Sequence, residues 1–310
     1  MKSKLTTLVR LHVVRLLSAL LLAATLRADL PFVVISDWGT PPPKESGQRE
    51  VAAQLGRTAA EIGSHCVITL GDNFHADGVQ SPDDPLWKTL FEDVYTAPSL
   101  QTPWYPALGN HDYDGDPQAE IDYTKRSLRW RLHERYYTWT DAVDADTTVQ
   151  FFILDSSPFV EEYAGDTKFA RPGRARPDTA AQVAWFERQL AASKAKWKIV
   201  VAHHPVYSGG AKHGDTVELH KTIKPLLEKY GVQVVLSGHE HDFQHLNDGG
   251  RVHYFVISGG SVARPAGKHK FAKFMQGDTH GFGALIVKRN VIEVRFVDKT
   301  GKIFYKTEVR

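Results

Sequence analysis

The sequence of 310 residues contains only one cysteine, Cys66. A lone cysteine cannot form an internal disulfide, and it excludes metal sites that are built from several thiolates. Cys66 begins a short apolar segment that is typical of a buried strand. We therefore interpret it as a small core residue.

The sequence also lacks an apolar run of about 20 residues, the length that a transmembrane helix needs. Residues 16–26 are mostly apolar but too few to cross a bilayer, and they lie between a basic start and the small residue Ala28. This arrangement is typical of a secretory signal peptide, and it favours export over an uncleaved membrane anchor. We expect residues 1–28 to be a signal peptide, the protein to be secreted or periplasmic, and the mature protein to have no membrane contact.

A large excess of one charge sign is missing as well, since the formal net charge is +2. The expected signal peptide carries no acidic residue and five basic ones, Lys2, Lys4, Arg10, Arg15 and Arg27. Its removal would change the charge from +2 to −3, so the mature protein has no general attraction to nucleic acid. Clusters of basic and aromatic residues are absent too, and we expect no nucleic-acid partner.

What the sequence does contain is enough apolar material for a large core, with 42% apolar residues and seven tryptophans. Apolar segments of strand length alternate with helical patterns such as residues 48–62, which indicates an α/β architecture. The end of the chain is rich in predicted strands, which favours a second sheet packed against the first. Because no linker or internal repeat is visible, we expect residues 29–310 to form a single domain.

Polar side chains follow five of the predicted strands directly. The strand at residues 66–70, for example, ends at Gly71-Asp72-Asn73-Phe74-His75. Loops that leave the carboxyl ends of parallel strands are where open α/β sheets bind their ligands. The residues at these five strand ends are Asp37, Asp72, His75, Asn110, His111, His203, His239 and His241.

Carboxylate, amide and imidazole groups together form a ligand set for transition metals. An enzyme that holds two cations about 3.5–4 Å apart needs roughly seven protein ligands, one of them a bridging carboxylate. Each residue alone has an ordinary alternative: a single histidine is more often a hydrogen-bonded core or surface residue, and Asp37 could be a turn aspartate. Five such strand ends in order favour metal binding.

The sequence resembles a known family in these same segments. Five of them resemble the ordered blocks of the metallophosphoesterases, and in detail those of the purple acid phosphatases, particularly the small single-domain mammalian type. They are Asp37-x-Gly39, Gly71-Asp72-x-x-His75, Gly109-Asn110-His111-Asp112, Val200-x-x-His203 and Gly238-His239-x-His241. A further match, Ala211-Lys212-His213-Gly214, is not a metal block. The resemblance implies a four-layer α/β/β/α sandwich of two mixed sheets.

The resemblance also implies a role for each matched residue. Asp72 would bridge two metal ions. Asp37, His75 and His241 would complete one metal site, and Asn110, His203 and His239 the other. His111 and His213 would be outer-sphere histidines that hold phosphate and assist the leaving group, with Asp112 orienting His111. The implied reaction is hydrolysis of small phosphomonoesters by attack of a metal-bound hydroxide, in a protein that we expect to be a monomer.

Position 75 departs from the family, which has a tyrosine ligand there, and Gly39 stands where general metallophosphoesterases have a histidine. Our hypothesis is that His75 binds the same metal; the alternative is that it turns outward and water takes its place. Neutral imidazole suits Fe, Zn, Mn or Ni and disfavours trivalent iron. Because a less charged metal acidifies water less, we expect a colourless enzyme with a pH optimum nearer neutral or alkaline.

Two further departures concern the surroundings of the site. Residues 155–177 match the protease-sensitive loop of the mammalian enzymes but lack its disulfide cysteines, which puts regulation by cleavage in doubt. His204 replaces a tyrosine and could contact substrate or be structural.

Two other functions remain open from the sequence. One is a phosphodiesterase with the same metals, acting on cyclic nucleotides or other diesters. The other is a catalytically silent metal- or phosphate-binding protein, and the presence of both His111 and His213 argues against it.

Overall fold

A computed structural model describes residues 29–41, 47–75, 77–165 and 178–310. The predicted signal peptide and most of the second half of the 155–177 loop lie outside the described residues. None of the helices in the described part of the chain combines the length and the apolar composition that crossing a bilayer requires.

Thirteen strands and five α-helices occur among the described residues. The strands are β1 (Asp29–Ile35), β2 (Val67–Thr69), β3 (Trp104–Pro106), β4 (Tyr137–Asp144), β5 (Thr147–Leu154), β6 (Trp197–Ala202), β7 (Val234–Ser237), β8 (Phe243–Leu246), β9 (His253–Ile257), β10 (Ala272–Gln276), β11 (Gly281–Lys288), β12 (Ile292–Asp298) and β13 (Ile303–Val309). The helices are α1 (Gln48–Ile62), α2 (Pro117–Tyr123), α3 (Thr179–Ala192), α4 (Val217–Thr222) and α5 (Lys224–Lys229).

The strands form two mixed sheets, which confirms the predicted fold class. One sheet has the order β13-β12-β11-β1-β2-β3 and the other β10-β8-β9-β7-β6-β5-β4. The strand-rich end of the chain does not form the second sheet by itself. Instead β11 pairs antiparallel with β1, with Asp29 opposite Lys288, so the last three strands complete the first sheet.

The two sheets face each other, and helices cover their outer faces. Between the sheets, the ring of Phe32 on β1 meets that of Phe151 on β5 edge-on, with centroids 5.4 Å apart. On the far side of the second sheet, Phe152 contacts Phe186 of α3 in the same way, at 5.8 Å. Helix α1 lies against β1 and β11 on the far side of the first sheet. This arrangement gives the four layers α/β/β/α.

Helix boundaries follow from local sequence signals. Helix α1 has the bounds predicted for it and ends at Gly63, whose φ of 66° is a left-handed conformation that suits glycine. The side chain of Asp178 caps α3 by accepting a hydrogen bond from the backbone N–H of Ala181. The sequence pattern of residues 216–230 predicts a single helix, but the structure has two, α4 and α5, with a break at Ile223. Pro225 explains the break, because it lacks the N–H that a continuous helix would need.

Candidate metal centre

Parallel strands from both sheets end at one edge of the sandwich, where their loops are bonded to each other. In the first sheet, Asp37 N–H donates to Gly71 O (3.2 Å) and Trp38 N–H donates to Asp72 O (3.1 Å). In the second, Gly238 N–H donates to His203 O (2.9 Å). Between the two sheets, His239 N–H donates to Oδ2 of Asp37 (3.1 Å). The loops after β1, β2, β6 and β7 are therefore hydrogen-bonded to one another by the protein alone.

Backbone strain is concentrated in these loops. Asp37, Asp72, His239 and His241 all have positive φ, between 50° and 74°; among the described non-glycine residues, Asp278 alone shares this property. The left-handed conformation costs a residue with a side chain roughly 1–2 kcal/mol, and such strain clusters at functional sites. Four of the seven predicted metal ligands thus lie in a conformation that folding alone disfavours.

The first group of ligands contains Asp37, His75 and His241, with donor atoms that all lie within 4.8 Å of one another. Nε2 of His241 is 3.3 Å from Oδ1 of Asp37. The ring of His75 faces this group, with its centroid 4.7 Å from that of His241 and 4.3 Å from that of His111. The side chain of His75 is therefore directed into the site and not toward bulk solvent.

The second group is centred on His203. Its Nδ1 lies 2.8 Å from the carbonyl oxygen of Leu70, which must accept the proton, so Nε2 presents its lone pair to the site. Three predicted ligand atoms surround that Nε2: Asp72 Oδ2 at 3.3 Å, Asn110 Oδ1 at 3.2 Å and His239 Nδ1 at 3.3 Å. Without a cation these groups would have to share protons among themselves.

Asp72 lies between the two groups. It is grouped with His75 and His111 on one side, and with Asp37 and His203 on the other, within the same 4.8 Å limit. One of its oxygens, Oδ1, also accepts a hydrogen bond from the backbone N–H of His111 (2.8 Å). Among the predicted ligands, Asp72 is thus the carboxylate placed to be shared.

Three further observations indicate that these residues are suited to bind two cations. Oδ1 of Asp37, Nε2 of His75 and Nδ1 of His241 are buried and have no hydrogen-bond partner, although buried polar atoms are normally satisfied. Burial opposes a charge on His203, yet the Asp72 carboxylate outweighs it and raises the pKa of His203 to about 9. A metal ion would take the place of that proton. Finally, the oxygen and nitrogen donors are those that transition metals prefer.

His111 lies beside His75 of the first group, and its imidazole is held by an acidic residue. Nδ1 is 3.1 Å from Oδ2 of Asp114. Asp112, which the sequence analysis expected to orient His111, points elsewhere, and that expectation was wrong. The residues 112–114 form a single 3-10 turn, which separates the directions of the two carboxylates.

Asp112 instead joins the loops that carry Asp72 and Asn110. It is fully buried, and its carboxylate accepts hydrogen bonds from the backbone N–H groups of Asn73 (2.8 Å), Phe74 (3.1 Å) and Gly109 (2.8 Å). The role of Asp112 is therefore to fix the positions of two loops.

A cavity of about 70 Å³ opens above the two groups, and a larger cleft of about 450 Å³ adjoins it. His213 lines both, and its ring lies 4.1 Å from that of His239. Three further residues line the cavity that the sequence analysis did not assign: Tyr163, Lys212 and Arg264. Arg264 lies in an irregular loop with no motif around it, so no sequence signal marked it.

His204 has a structural environment. Its Nδ1 is 3.0 Å from Oγ of Ser156, and its Nε2 is 3.2 Å from the hydroxyl of Tyr163. A donor nitrogen of His204 also lies within 4.8 Å of His203 and His239. Because both ring nitrogens already have protein partners, the geometry favours the structural alternative, in which His204 positions Tyr163 at the cavity.

The fold and the paired ligand groups define a class of protein, and comparisons of the sequence agree with it. The chain belongs to the calcineurin-like phosphoesterases, whose family profile matches residues 30–243. Within that class its relatives are acid phosphatases. It is 34% identical over 296 residues to tartrate-resistant acid phosphatase type 5 of Oryctolagus cuniculus, covering 90% of each chain. It is 36% identical over 292 residues to purple acid phosphatase 17 of Arabidopsis thaliana, covering 90% of this chain and 83% of the relative.

Solved structures show the same fold. The purple acid phosphatase of yellow lupin seeds superposes with a TM-score of 0.64 at 16% identity, over 91% of this chain and 54% of the lupin chain. GAP50, the anchor in the inner membrane complex of Plasmodium, superposes with a TM-score of 0.80 at 22% identity, over 91% and 89% of the two chains. The family resemblance predicted from the motifs is confirmed. The protein is a metal-dependent phosphoric ester hydrolase with a dinuclear metal centre.

Proposed function

We propose that the protein hydrolyses phosphomonoesters with two metal ions held by the seven predicted ligands. The observation that carries the proposal is the position of Asp72 between two groups of donor atoms, beneath a cavity lined by histidine and cationic side chains. Asp37, His75 and His241 would hold one ion, and Asn110, His203 and His239 the other. The imidazole of His75 thereby fills the place of the family's tyrosine.

When bound, two cations neutralise phosphate oxygens and make hydroxide available near neutral pH. Protein groups must then orient the ester and supply a proton to the leaving oxygen. His111 is placed to supply that proton, because it lines the cavity and the carboxylate of Asp114 beside Nδ1 holds its imidazole. Its backbone N–H, bonded to Asp72, keeps it next to the reacting phosphate.

His213 has a different electrostatic environment. Burial, together with the positive charges of Lys212 and Arg264, lowers the pKa of His213 to about 4. The ring is therefore neutral in the free protein at neutral pH, and it is suited to donate a hydrogen bond to a phosphate oxygen. Since His213 lines both the cavity and the cleft, the leaving group would extend past it into the cleft.

The cavity favours a monoester over a diester. The cations Lys212 and Arg264 line it, and two positive charges suit a dianion. A diester carries one negative charge less and would therefore gain less from these two cations. A silent binding protein would not need a histidine held as a proton donor beside the ligands, and the likeness to GAP50 concerns the fold alone.

Two substitutions test the proposal. Asp72→Asn should reduce bound metal to less than one equivalent and abolish phosphatase activity, whereas His213→Asn should keep both metals and lower kcat by about 100-fold. The measurements are elemental analysis of the purified protein and rates on an aryl phosphomonoester and a bis-aryl diester. A matched control is His133→Asn, at an exposed position outside the site. If both site variants kept the wild-type rate, or if the diester were the faster substrate, the proposal would fail.

We further propose that residues 1–28 direct export to the periplasm or the medium, and that the mature protein acts as a monomer. The basic start, the short apolar segment and the small residue Ala28 support cleavage before Asp29. Amino-terminal sequencing of the protein recovered from its native compartment should read from Asp29. Light scattering should give the mass of one chain. An unprocessed amino terminus would contradict cleavage of the signal peptide, and the mass of a dimer would contradict the monomeric state.

A further inference from the structure

The backbone of Arg264 is hydrogen-bonded on both sides, and one of its partners is a predicted metal ligand. Its N–H donates to the carbonyl oxygen of His241 (2.8 Å), and its own carbonyl oxygen accepts from Asp278 N–H (2.8 Å). Three residues earlier, Ser261 N–H donates to the carbonyl oxygen of Asp37 (3.0 Å). The loop that carries Arg264 is therefore tied to two ligands of the first group.

The side chain of Arg264 is partly buried and lines the cavity above the metal centre, together with His111 and His213. Its Nη1 is buried, and none of the described residues accepts a hydrogen bond from it. Leaving a buried charged donor unsatisfied costs a protein more than leaving a neutral one. A guanidinium placed in this way has donors available for an anion in the cavity.

Each of the two carboxylates near Arg264 has one oxygen bonded elsewhere, while Oε2 of Glu240 and Oδ2 of Asp242 are buried with no hydrogen-bond partner among the described residues. Glu240 accepts hydrogen bonds from Oγ of Ser208 (2.7 Å) and from Gly214 N–H (3.0 Å). Asp242 accepts one from the side-chain amide of Gln244 (2.8 Å). Neither forms an ion pair with Arg264, although both feel its charge. The alternative role for Arg264 is structural: its positive charge would partly offset the negative charges of these two carboxylates. A test must distinguish this role from binding of a substrate.

We propose that Arg264 is a specificity-determining residue that binds the non-bridging phosphate oxygens and selects doubly charged phosphomonoesters over diesters. This inference rests on the proposed function. A guanidinium presents paired N–H donors that match two oxygens of one phosphate group. A monoester dianion has three non-bridging oxygens that share two negative charges, whereas a diester has two that share one. Lys212, which also lines the cavity, adds a second positive charge.

The test compares Arg264→Met with wild type in the metal-loaded protein. Loss of a charge-assisted hydrogen bond should lower kcat/KM for an aryl phosphomonoester by about 10- to 100-fold. The rate on a bis-aryl phosphodiester should change by less than about threefold, because that substrate lacks the second charge. A titration calorimeter should show an increase of about tenfold or more in the Kd for inorganic phosphate. Lys268→Met removes the same charge from an exposed position of the same loop and should change none of these quantities.

Each outcome decides the inference. Equal losses on monoester and diester, or an unchanged Kd for phosphate, would assign Arg264 the structural role and overturn it. If Arg264→Met does not fold, Arg264→Lys replaces it in the test, because lysine keeps the positive charge but lacks the paired N–H donors of the guanidinium. The ratio of monoester to diester rates should then fall about 3- to 10-fold. A wild-type enzyme without monoesterase activity would refute the proposed function, and the phosphate titration would still decide the role of Arg264.

Discussion

The carboxylate of Asp114 lies 3.1 Å from Nδ1 of His111, whereas that of Asp112 points away from it into the protein. Two aspartates separated by one residue therefore have different tasks. Asp114 holds the imidazole in position, and Asp112 holds the loops that carry the metal ligands.

Replacing these two aspartates separately should separate catalysis from metal binding. Asp114→Asn should lower kcat by about tenfold, the lower end of what a charge-assisted hydrogen bond contributes, with both metals retained. Asp112→Asn replaces one of the two oxygens that accept the three backbone N–H groups by an NH2 donor, and it should destabilise the fold by about 2 kcal/mol or more, with loss of metal. Steady-state kinetics, elemental analysis and urea unfolding measure the three quantities. Loss of metal in Asp114→Asn would contradict the assignment.

The replacement of the family's tyrosine by His75 predicts a spectroscopic difference. Loaded with ferric iron, the wild-type protein should show no tyrosinate charge-transfer band, because imidazole replaces the phenolate. His75→Tyr should produce a visible band that disappears on reduction, and its rate optimum should move to lower pH. The ring of His75 faces the first ligand group, so a tyrosine there would reach the same ion.

The matched control for this experiment is His133→Tyr, which adds a tyrosine at an exposed position away from the site. It should remain colourless. A band in the wild-type protein, together with an acidic rate optimum, would show that the departure at position 75 has no effect on the metal.

The sequence was informative about the metal centre for a physical reason. Buried strands are marked by their apolar runs, and the residues that follow them in parallel strands must meet at one edge of a sheet. Asp37, Asp72, Asn110, His203 and His239 are therefore visible as strand-end residues, and the structure brings them together.

What could not be predicted depends on tertiary contacts. The direction of Asp112 against Asp114 is decided by one 3-10 turn. Arg264 lies in a loop fixed by bonds to His241 and Asp278, which no local pattern encodes. Strand β4 was not predicted, since its sequence mixes polar and aromatic residues, and its pairing with β5 stabilises it. The pairing of β11 with β1 joins segments about 250 residues apart, and periodicity carries no information about such partners.

Gly39 stands where general metallophosphoesterases carry a histidine, and the structure explains why a side chain cannot be restored there. Its φ is 73°, and a Cβ atom would lie 2.2 Å from the carbonyl oxygen of Asn73, in the loop that carries Asp72 and His75. Gly39→Ala should therefore displace that loop, reduce bound metal and lower the free energy of unfolding by more than about 2 kcal/mol.

Gly63→Ala is the control: its φ is 66°, but the added Cβ meets nothing within 4 Å. It should cost only about 1–2 kcal/mol and keep both metals. Equal effects of the two substitutions would show that the crowding at Asn73 is unimportant.

A buried histidine far from the predicted ligands should make the fold sensitive to acid. His245 on β8 is buried, with Nδ1 2.6 Å from the hydroxyl of Tyr305 and Nε2 2.9 Å from Nδ1 of His253. Burial, with the charges of His253 and Lys273, lowers the pKa of His245 from 6.5 to about 3. Below pH 6.5 the unfolded chain therefore binds a proton that the folded chain does not bind. Stability should decrease as the pH falls from 6.5 toward 3, by up to about 1.4 kcal/mol per pH unit from this residue.

The substitution His245→Gln isolates this contribution, because glutamine can donate and accept hydrogen bonds but does not titrate. The variant should be less stable than wild type at about pH 7.5, yet it should lose about 2 kcal/mol less on going to about pH 5. Urea unfolding at both pH values, with the same metal concentration, gives the comparison, and the pH dependence of metal binding cancels in the difference. The exposed His133→Gln should follow the wild-type curve. If His245→Gln lost as much stability as wild type over this interval, another group would be responsible for the acid sensitivity.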